Sequence, residues 1–235
     1  MKKKIRNVVT LLFLLALGVG AGLAQQPTTA EGYFKRGNGN AEYQQSAEAI
    51  ADYTKAIELN PKFAEAYYGR AEVYRRQTKD FYPALNDYTK AFNLDPASAH
   101  EFAPVFQKSL VKDMVGVVAE LTALIKDEPS ADPFLYFARG FFRAASVAGV
   151  KPTKQDIDAA LDDFNKGIEL APKSDVLYFL RATALADRKE TVAAIADYTK
   201  AIEFAPTVAD YYRQRAIQYR VLAETDEKRA AKSQR

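Results

Sequence analysis

Two segments of the chain, 145 residues apart, carry almost the same thirteen residues, and this repetition constrains the fold more than any other feature. Residues 49–61 read AIADYTKAIELNP, and residues 194–206 differ from them only at Phe204 and Ala205. Repetition at a long interval is typical of chains built from stacked copies of one structural unit. Such chains usually hold another molecule, so the repetition predicts a kind of function and leaves the partner unidentified.

Prolines divide the chain into units of similar length. Successive prolines are 35, 33, 43 and 34 residues apart, at Pro61, Pro96, Pro129, Pro172 and Pro206. Proline cannot donate to the helix backbone and restricts the residue before it, so each of these prolines is expected to end a helix. A second helical segment precedes each terminating helix. The repeating unit is therefore predicted to be a helix pair.

Both helices of the pair have a recurring pattern of aromatic and small residues. The second helix repeats Ala49-x3-Tyr53-x2-Ala56 as Ala84-x3-Tyr88-x2-Ala91, Ala160-x3-Phe164-x2-Gly167 and Ala194-x3-Tyr198-x2-Ala201. The first helix repeats Tyr33-x2-Arg36-Gly37 as Tyr67-x2-Arg70-Ala71, Tyr136-x2-Arg139-Gly140, Tyr178-x2-Arg181-Ala182 and Tyr212-x2-Arg215-Ala216. Spacings of three and four residues place each set on one helix face. The small residues let a neighbouring helix approach, and the ring fills the space beside it.

These patterns resemble the tetratricopeptide repeat over residues 31–222. The resemblance implies an all-α, right-handed superhelical solenoid of about five antiparallel helix pairs with a C-terminal capping helix. The third unit is degenerate, because Val117, Leu121 and Leu124 replace the small and aromatic residues. The fourth unit has an insertion at residues 146–154, after which Thr153 and Asp156 predict a capping box.

The N-terminus has the layout of a secretory signal peptide. A basic start over residues 2–6 precedes an apolar run over residues 8–24, and Gly22 and Ala24 suit a cleavage site. Cleavage predicts a periplasmic or secreted protein. The 17-residue run can barely span a bilayer, so an uncleaved membrane anchor is the alternative. The predicted organisation is a signal peptide (1–24), a linker (25–30), the solenoid (31–223) and a polar C-terminal helix or tail (224–235).

Composition argues against several classes of function. Without the four basic residues of the signal segment, 29 lysines and arginines face 30 acidic residues, a net charge of −1. Mixed signs near neutrality argue against a nucleic-acid surface, which needs a clustered basic face. The sequence contains no cysteine, which excludes disulfides, thiolate metal sites and a cysteine nucleophile.

The candidate catalytic and metal-binding residues have simpler interpretations. His100 is the only histidine, and a lone histidine of this kind is expected to be a surface residue. The acidic cluster of Asp156, Asp158, Asp162 and Asp163 lacks the glycine and the late glutamate of a calcium loop. Acidic residues at a helix start are favoured by the helix dipole. The sequence therefore predicts no catalytic residue, metal or cofactor.

One arginine and one aspartate recur in register in four units. Each arginine lies on a small-and-aromatic helix face, and each aspartate precedes the aromatic residue of the partner helix. A half-buried arginine needs a carboxylate partner. The predicted structural pairs are Arg36–Asp52, Arg70–Asp87, Arg139–Asp163 and Arg181–Asp197.

The first helices of such a solenoid line its inner face, where side chains one, five and eight places after the opening tyrosine should point. The first of these positions is aromatic in four units, and repeated aromatics on one face favour a binding groove. The predicted groove residues are Phe34, Asn38, Tyr68, Glu72, Arg75, Phe137, Phe141, Phe179, Thr183, Arg213, Ile217 and Arg220. Some relatives hold a partner's terminal carboxylate with lysine and asparagine. Here Asn38 matches, but Phe34 and Gly69 do not, which argues against such a clamp.

The predicted function is a non-enzymatic protein–protein interaction scaffold in the cell envelope or the secreted space. It would bind an extended peptide or a partner helix in its concave groove, without nucleic acid and without stable membrane insertion once the signal is cleaved. One alternative is an envelope-complex assembly factor that uses the third unit and the insertion. A weaker alternative is a carbohydrate-binding aromatic surface. The sequence does not predict an oligomeric state.

Overall fold

The computed structural model describes residues 26–110, 113–127, 132–145 and 151–233. The predicted signal peptide and residues 146–150 of the predicted insertion lie outside the described residues. Within the described part of the chain, the regular structure is entirely helical. No helix in this part is long and apolar enough to cross a membrane.

Eleven α-helices follow one another along the described residues. They are α1 (Ala30–Glu42), α2 (Ser46–Leu59), α3 (Ala64–Val73), α4 (Phe81–Leu94), α5 (Ala103–Leu110), α6 (Met114–Asp127), α7 (Pro133–Ala144), α8 (Lys154–Leu170), α9 (Asp175–Asp187), α10 (Thr191–Phe204) and α11 (Ala209–Ser233). Each helix packs mainly against its neighbours in sequence, so the pairs stack one after another. The predicted fold class, an all-α helical-repeat solenoid, is confirmed.

Several helices have a side-chain hydrogen bond that caps their N-terminus. The Thr29 hydroxyl accepts a hydrogen bond from the Gly32 N–H at 3.1 Å and caps α1. At α8, the Thr153 hydroxyl accepts from the Asp156 N–H at 3.1 Å, and the Asp156 carboxylate accepts from the Thr153 N–H at 2.8 Å. This reciprocal arrangement is the capping box predicted from the sequence.

Two glycines make room for the aromatic ring that recurs in the second helix of the units. Tyr53 is 2% exposed, and a Cβ added at Gly37 or at Gly69 would lie 2.9 Å from its ring. Gly37 belongs to the first helix of the same unit, and Gly69 belongs to the first helix of the next unit. The ring therefore lies between two units at a distance that larger residues would prevent.

The turn between the two helices of a unit uses a left-handed residue in three units. Gln44, Lys79 and Lys189 have φ angles of 57°, 64° and 65°. This conformation reverses the chain after the first helix but is unfavourable for residues with a Cβ. The packing of the helix pairs therefore offsets the backbone strain at these three positions.

The third unit differs from the others because its first helix is interrupted. A 3₁₀ segment (Pro96–Phe102) precedes α5, and His100 inside this segment forms a kink, with φ 44° and ψ −123°. Phe102 and Phe106 are only 1% and 4% exposed and belong to the main hydrophobic core. Both rings therefore pack inside the solenoid.

Helix α11 is longer than any first helix of the preceding units. It runs without a break for 25 residues, from Ala209 to Ser233. The predicted boundary between solenoid and C-terminal tail, at residues 223 and 224, therefore falls inside one continuous helix.

Candidate functional site

All four arginine and aspartate side chains that recur in register are hydrogen-bonded in the structure. In three of the pairs the arginine Nε donates to the aspartate at 2.7–2.8 Å, and Arg139 donates from Nη2 to Asp163 at 2.6 Å. Arg36 also donates from Nη2 to Asp52 at 2.5 Å. The aspartates are 2–7% exposed, so they need these partners. The pairs join the two helices of a unit, so their role is structural.

Arg70, Arg139 and Arg181 also contact a third helix. Arg70 donates from Nη1 to the Thr54 hydroxyl of α2 at 2.8 Å, and Arg139 donates to Thr122 of α6 at 3.2 Å. The guanidinium carbon of Arg70 lies 5.8 Å from the ring centre of Tyr67 on its own helix. One side chain therefore ties a first helix to both second helices beside it. The hydrogen bond to Asp87 opposes the effect of burial, and the pKa of Arg70 is raised overall.

An open cavity of about 400 Å³ lies on the inner face of the first two units. Helix α1 contributes Phe34, Asn38 and Ala41, and α3 contributes Tyr68 and Glu72. Four of these five residues were predicted to line the groove. We call this cavity the N-terminal pocket. Its further lining residues are Tyr53, Glu65, Gly69, Val73, Arg76, Gln77, Ser98 and His100.

Aromatic rings form the walls of the N-terminal pocket. The Phe34 ring lies 5.9 Å from the Tyr53 ring and 4.9 Å from the Phe63 ring. Across the pocket, the Tyr68 ring lies 5.6 Å from the Tyr88 ring. These distances are typical of tilted and edge-to-face pairs, which hold each ring in place. The apolar walls are therefore largely preformed.

Polar groups are held at fixed positions around these rings. The Tyr53 hydroxyl donates to Asn38 Oδ1 at 2.8 Å. The Glu72 carboxylate accepts from Arg75 at 3.1 Å and from Arg76 at 2.5 Å, and the Tyr88 hydroxyl also donates to it. Although burial acts against it, these partners lower the pKa of Glu72. Glu72 is therefore a fixed negative charge at the pocket.

His100 closes one side of the N-terminal pocket. It is exposed, as the sequence predicts, but its ring lies 4.5 Å from the Tyr68 ring, and it lines the cavity. The interruption of the third unit brings it there. Sequence reasoning missed this role because nothing in the repeat pattern indicates that a residue of the third unit turns back toward α3.

Arg75 was predicted to line the groove and is instead buried, with 1% exposure. Its guanidinium forms ion pairs with Glu72 at 3.0 Å, Asp132 at 2.9 Å and Glu101 at 3.5 Å. Burial alone would lower its pKa, but the surrounding groups raise it. The prediction is wrong because Arg75 is the ionic link between the second, third and fourth units.

Phe137 was also predicted to line the groove and is fully buried. Phe81 and Tyr82, at the start of α4, place their rings 5.4 Å from the Phe137 ring. Tyr82 also lies edge-on to Phe141, at 5.9 Å. The chain itself therefore fills the inner face beside α7. Phe137 is a core residue, and Phe141 is half-buried against the same rings.

The remaining predicted groove residues lie toward the C-terminal end. The Phe179 ring packs against the Tyr211 ring at 4.8 Å, and the Thr183 hydroxyl is 3.1 Å from the Tyr198 hydroxyl. On α11, Arg213 and Arg220 are exposed and Ile217 is half-buried. None of these residues lines the N-terminal pocket. The twelve predicted residues therefore do not form one continuous groove.

The described residues contain no group of three or more histidine, cysteine, aspartate or glutamate side chains that could hold a metal ion. Asp156 and Asp158 of the acidic cluster have other partners. Asp156 completes the capping box, and Asp158 forms an ion pair with Arg188 at 2.6 Å. Asp163 accepts from Arg139.

Comparison with solved structures yields helical-repeat proteins at low sequence identity. YrrB, reported as a tetratricopeptide-repeat protein with an unusual peptide-binding site, is 19% identical, with a TM-score of 0.42 over 80% of this chain and 92% of that one. A tetratricopeptide repeat protein from Parabacteroides merdae is 19% identical, with a TM-score of 0.49 over 81% of this chain and 71% of that one. Human IFIT1, in a dimer with m7Gppp-AAAA, is 18% identical, with a TM-score of 0.50 over 87% of this chain and 49% of that one.

Comparison with curated protein sequences returned no match. Two family models match the first units, one described as TPR repeat over residues 39–78 and one as tetratricopeptide repeat over residues 64–98. The same helix-pair geometry and the same arginine–aspartate pairing continue beyond these residues, to Asp197 in α10. The chain belongs to the tetratricopeptide-repeat family.

Proposed function

We propose that this protein is a non-enzymatic scaffold that binds an extended peptide or a partner helix in the N-terminal pocket. The tetratricopeptide-repeat fold suggests a protein–protein interaction scaffold. The observation that carries the proposal is the convergence of Phe34, Asn38, Tyr68 and Glu72 around one open cavity. The inner face beside α7 is filled by the chain's own rings, which leaves the N-terminal pocket as the better site.

The lining of the N-terminal pocket suits an apolar or aromatic side chain. Phe34, Tyr68 and Val73 offer apolar surface, and burying one large apolar side chain is worth about 1.5–3 kcal/mol. Aromatic pairs add about 0.5–1.5 kcal/mol. Asn38 and Glu72 can orient the bound backbone or an adjacent donor group. The binding energy would therefore come mainly from one or two anchoring side chains.

We also propose that the protein acts after export. The basic and apolar pattern of residues 1–24 supports a cleaved signal peptide, and the absence of cysteine is compatible with an oxidising compartment. The test is the intact mass of the protein recovered from the source cells. A mature N-terminus at Gln25 supports export with cleavage, and an N-terminus at Met1 contradicts it.

Peptide selection on the purified protein tests the binding site. Ala41 lines the N-terminal pocket, so Ala41→Trp should fill the pocket without removing a core side chain. Ala51 is exposed on α2, and Ala51→Trp is the matched control. We expect selected peptides to carry an aromatic or large aliphatic residue and to lose at least tenfold in affinity for Ala41→Trp.

The control should bind the selected peptides as the wild type does, and the thermal melting of both variants should show that they remain folded. Peptides that bind wild type and Ala41→Trp equally would move the interface away from the N-terminal pocket. A selection that yields no peptide for the wild type would contradict the proposed class of ligand.

A further inference from the structure

We propose that the face of α11 formed by Tyr212, Arg215, Ala216 and Tyr219 docks a helix supplied by another polypeptide. We call this surface the α11 face. The docked helix presents a carboxylate to Arg215 and an aromatic ring beside Ala216. This surface is separate from the N-terminal pocket, so the inference goes beyond the proposed function.

Helix α11 occupies the place of a first helix in a sixth unit. It carries the tyrosine, arginine and small residue of the first-helix pattern at Tyr212, Arg215 and Ala216. The Arg215 guanidinium carbon lies 5.7 Å from the Tyr212 ring centre, and its Nη1 donates to the Thr199 hydroxyl of α10 at 3.2 Å. Arg70 makes the same contact with α2 through Thr54. The link to the preceding unit is thus complete.

The link to a second helix is missing. In four units the arginine donates to a buried aspartate of its own second helix, as Arg181 does to Asp197 at 2.7 and 2.8 Å. Arg215 forms no ion pair with any residue that the structure describes. The other side of its guanidinium therefore lacks the carboxylate that each of these four units supplies.

The small residue of this pattern is uncovered as well. Ala71 and Ala182 are 0% exposed beneath their second helices, whereas Ala216, at the same position, is exposed. Beside it, Tyr212 and Tyr219 are 42% and 53% exposed. The α11 face therefore combines two exposed rings, an exposed alanine and an arginine.

The residues that would form the second helix of the sixth unit have another conformation. Thr225 lies 34 residues after Thr191, the first residue of α10, and so stands where a second helix would begin. Instead, α11 continues through Thr225 to Ser233. Residues 225–233 extend along the axis of α11 and so cannot fold back over the α11 face.

The four intact second helices show which chemistry fits. Each has alanine, then aspartate three positions on, then an aromatic residue, and a small residue three positions after the aromatic: Ala49, Asp52, Tyr53 and Ala56; Ala84, Asp87, Tyr88 and Ala91; Ala160, Asp163, Phe164 and Gly167; Ala194, Asp197, Tyr198 and Ala201. Charge complementarity with Arg215 requires the carboxylate, and the exposed Ala216 leaves room for the ring. The partner is therefore an amphipathic helix with an acidic residue directly before an aromatic residue.

The probe is a synthetic peptide with the sequence of residues 191–206, which supplies the complete second-helix pattern. It is titrated into the isotope-labelled protein, and the backbone amide shifts are followed by NMR. A short helix is only marginally stable alone, so affinity is expected to be modest. We expect the shift changes to concentrate on residues 212–223 and to saturate.

Two matched variants distinguish the proposed contact from nonspecific binding. Arg215→Ala should weaken binding by about tenfold or more, because a buried charge pair loses one partner. Arg213→Ala should leave binding unchanged, since Arg213 is exposed and pairs with Asp210 on its own helix. A peptide with asparagine at the position of Asp197 should lose as much affinity for the wild-type protein as the original peptide loses for Arg215→Ala. Combining the two changes should lower the affinity little further.

Several results would overturn the assignment. Shift changes in the N-terminal pocket, or no changes at all, would exclude the α11 face as a helix-binding surface. If the peptide with aspartate and the peptide with asparagine bound with equal affinity, the carboxylate would not contribute to binding. This conclusion would not depend on any protein variant. Dimerisation of the protein through this face in the absence of peptide, seen by sedimentation, would make a second copy the occupant in place of a different polypeptide.

Discussion

Replacing Asp163 by alanine should destabilise the protein more than the equivalent change in any other unit. The Asp163 side chain is 2% exposed and forms ion pairs with two arginines, Arg139 at 2.6 Å and Arg143 at 2.7 Å. These arginine side chains are only 14% and 22% exposed. Removal of the carboxylate would leave both guanidinium groups with no counterion and little water.

The same change in the first unit provides the comparison. Asp52 pairs with Arg36, whose side chain is 38% exposed and can turn toward water when the carboxylate is lost. Breaking a buried ion pair costs about 3–5 kcal/mol, and exposure of the remaining charge reduces this cost. We expect a loss of about 3 kcal/mol for Asp163→Ala and about 1 kcal/mol for Asp52→Ala.

Urea unfolding at neutral pH, followed by far-UV circular dichroism, measures both losses. Glu203→Ala is the control, because Glu203 pairs with Lys200 while both side chains are about half exposed, at 50% and 51%. Its loss should stay under about 0.5 kcal/mol. If Asp52→Ala costs as much as Asp163→Ala, the arginine–aspartate pairs do not act through burial, and the reasoning fails.

Three smaller predictions concern the turns, the rings and the capping box. Lys189→Gly should stabilise the protein by about 0.5–1 kcal/mol, because φ is 65° at this residue. Lys200→Gly, inside α10, should destabilise it by about 1 kcal/mol. The urea unfolding midpoints of the two variants must therefore move in opposite directions. Burial raises the pKa of Tyr53 from 10.0 to about 12. The stability that the neutral Tyr53 hydroxyl contributes should therefore be complete below pH 10 and be lost as the pH rises toward 12. In melting curves recorded over this pH range, Tyr53→Phe should weaken the alkaline loss of stability. Asp156→Ala should cost about 0.5–1 kcal/mol and increase hydrogen exchange in the first turn of α8, and unchanged exchange there would contradict the role of the capping box.

The helix pairs and their arginine–aspartate links could be predicted because both depend on local spacing that recurs in register. Ala49, Tyr53 and Ala56 define a buried face by their separation alone, and each has equivalents in other units. The paired arginine and aspartate are 16 or 17 residues apart in three of the four units. A repeated pattern specifies repeated contacts.

The groove was only partly predictable because the third unit departs from the repeat. Arg75 meets Asp132, 57 residues away, through a contact between different units. Tyr82 and Phe137 meet because α4 packs directly against α7. Such contacts depend on how an irregular unit changes the stacking, and the spacing of residues within one unit contains no information about it.

The absence of tryptophan from the sequence allows a direct measurement of ligand binding in the N-terminal pocket. Phe34→Trp places a single reporter in the wall of the pocket, and Phe204→Trp places one at the end of α10, where the side chain is 38% exposed. A selected peptide without tryptophan should shift the emission of the Phe34→Trp protein to the blue, with saturation, and leave the Phe204→Trp protein unchanged. A silent Phe34→Trp protein that still binds the peptide would contradict the central claim that this pocket holds the partner.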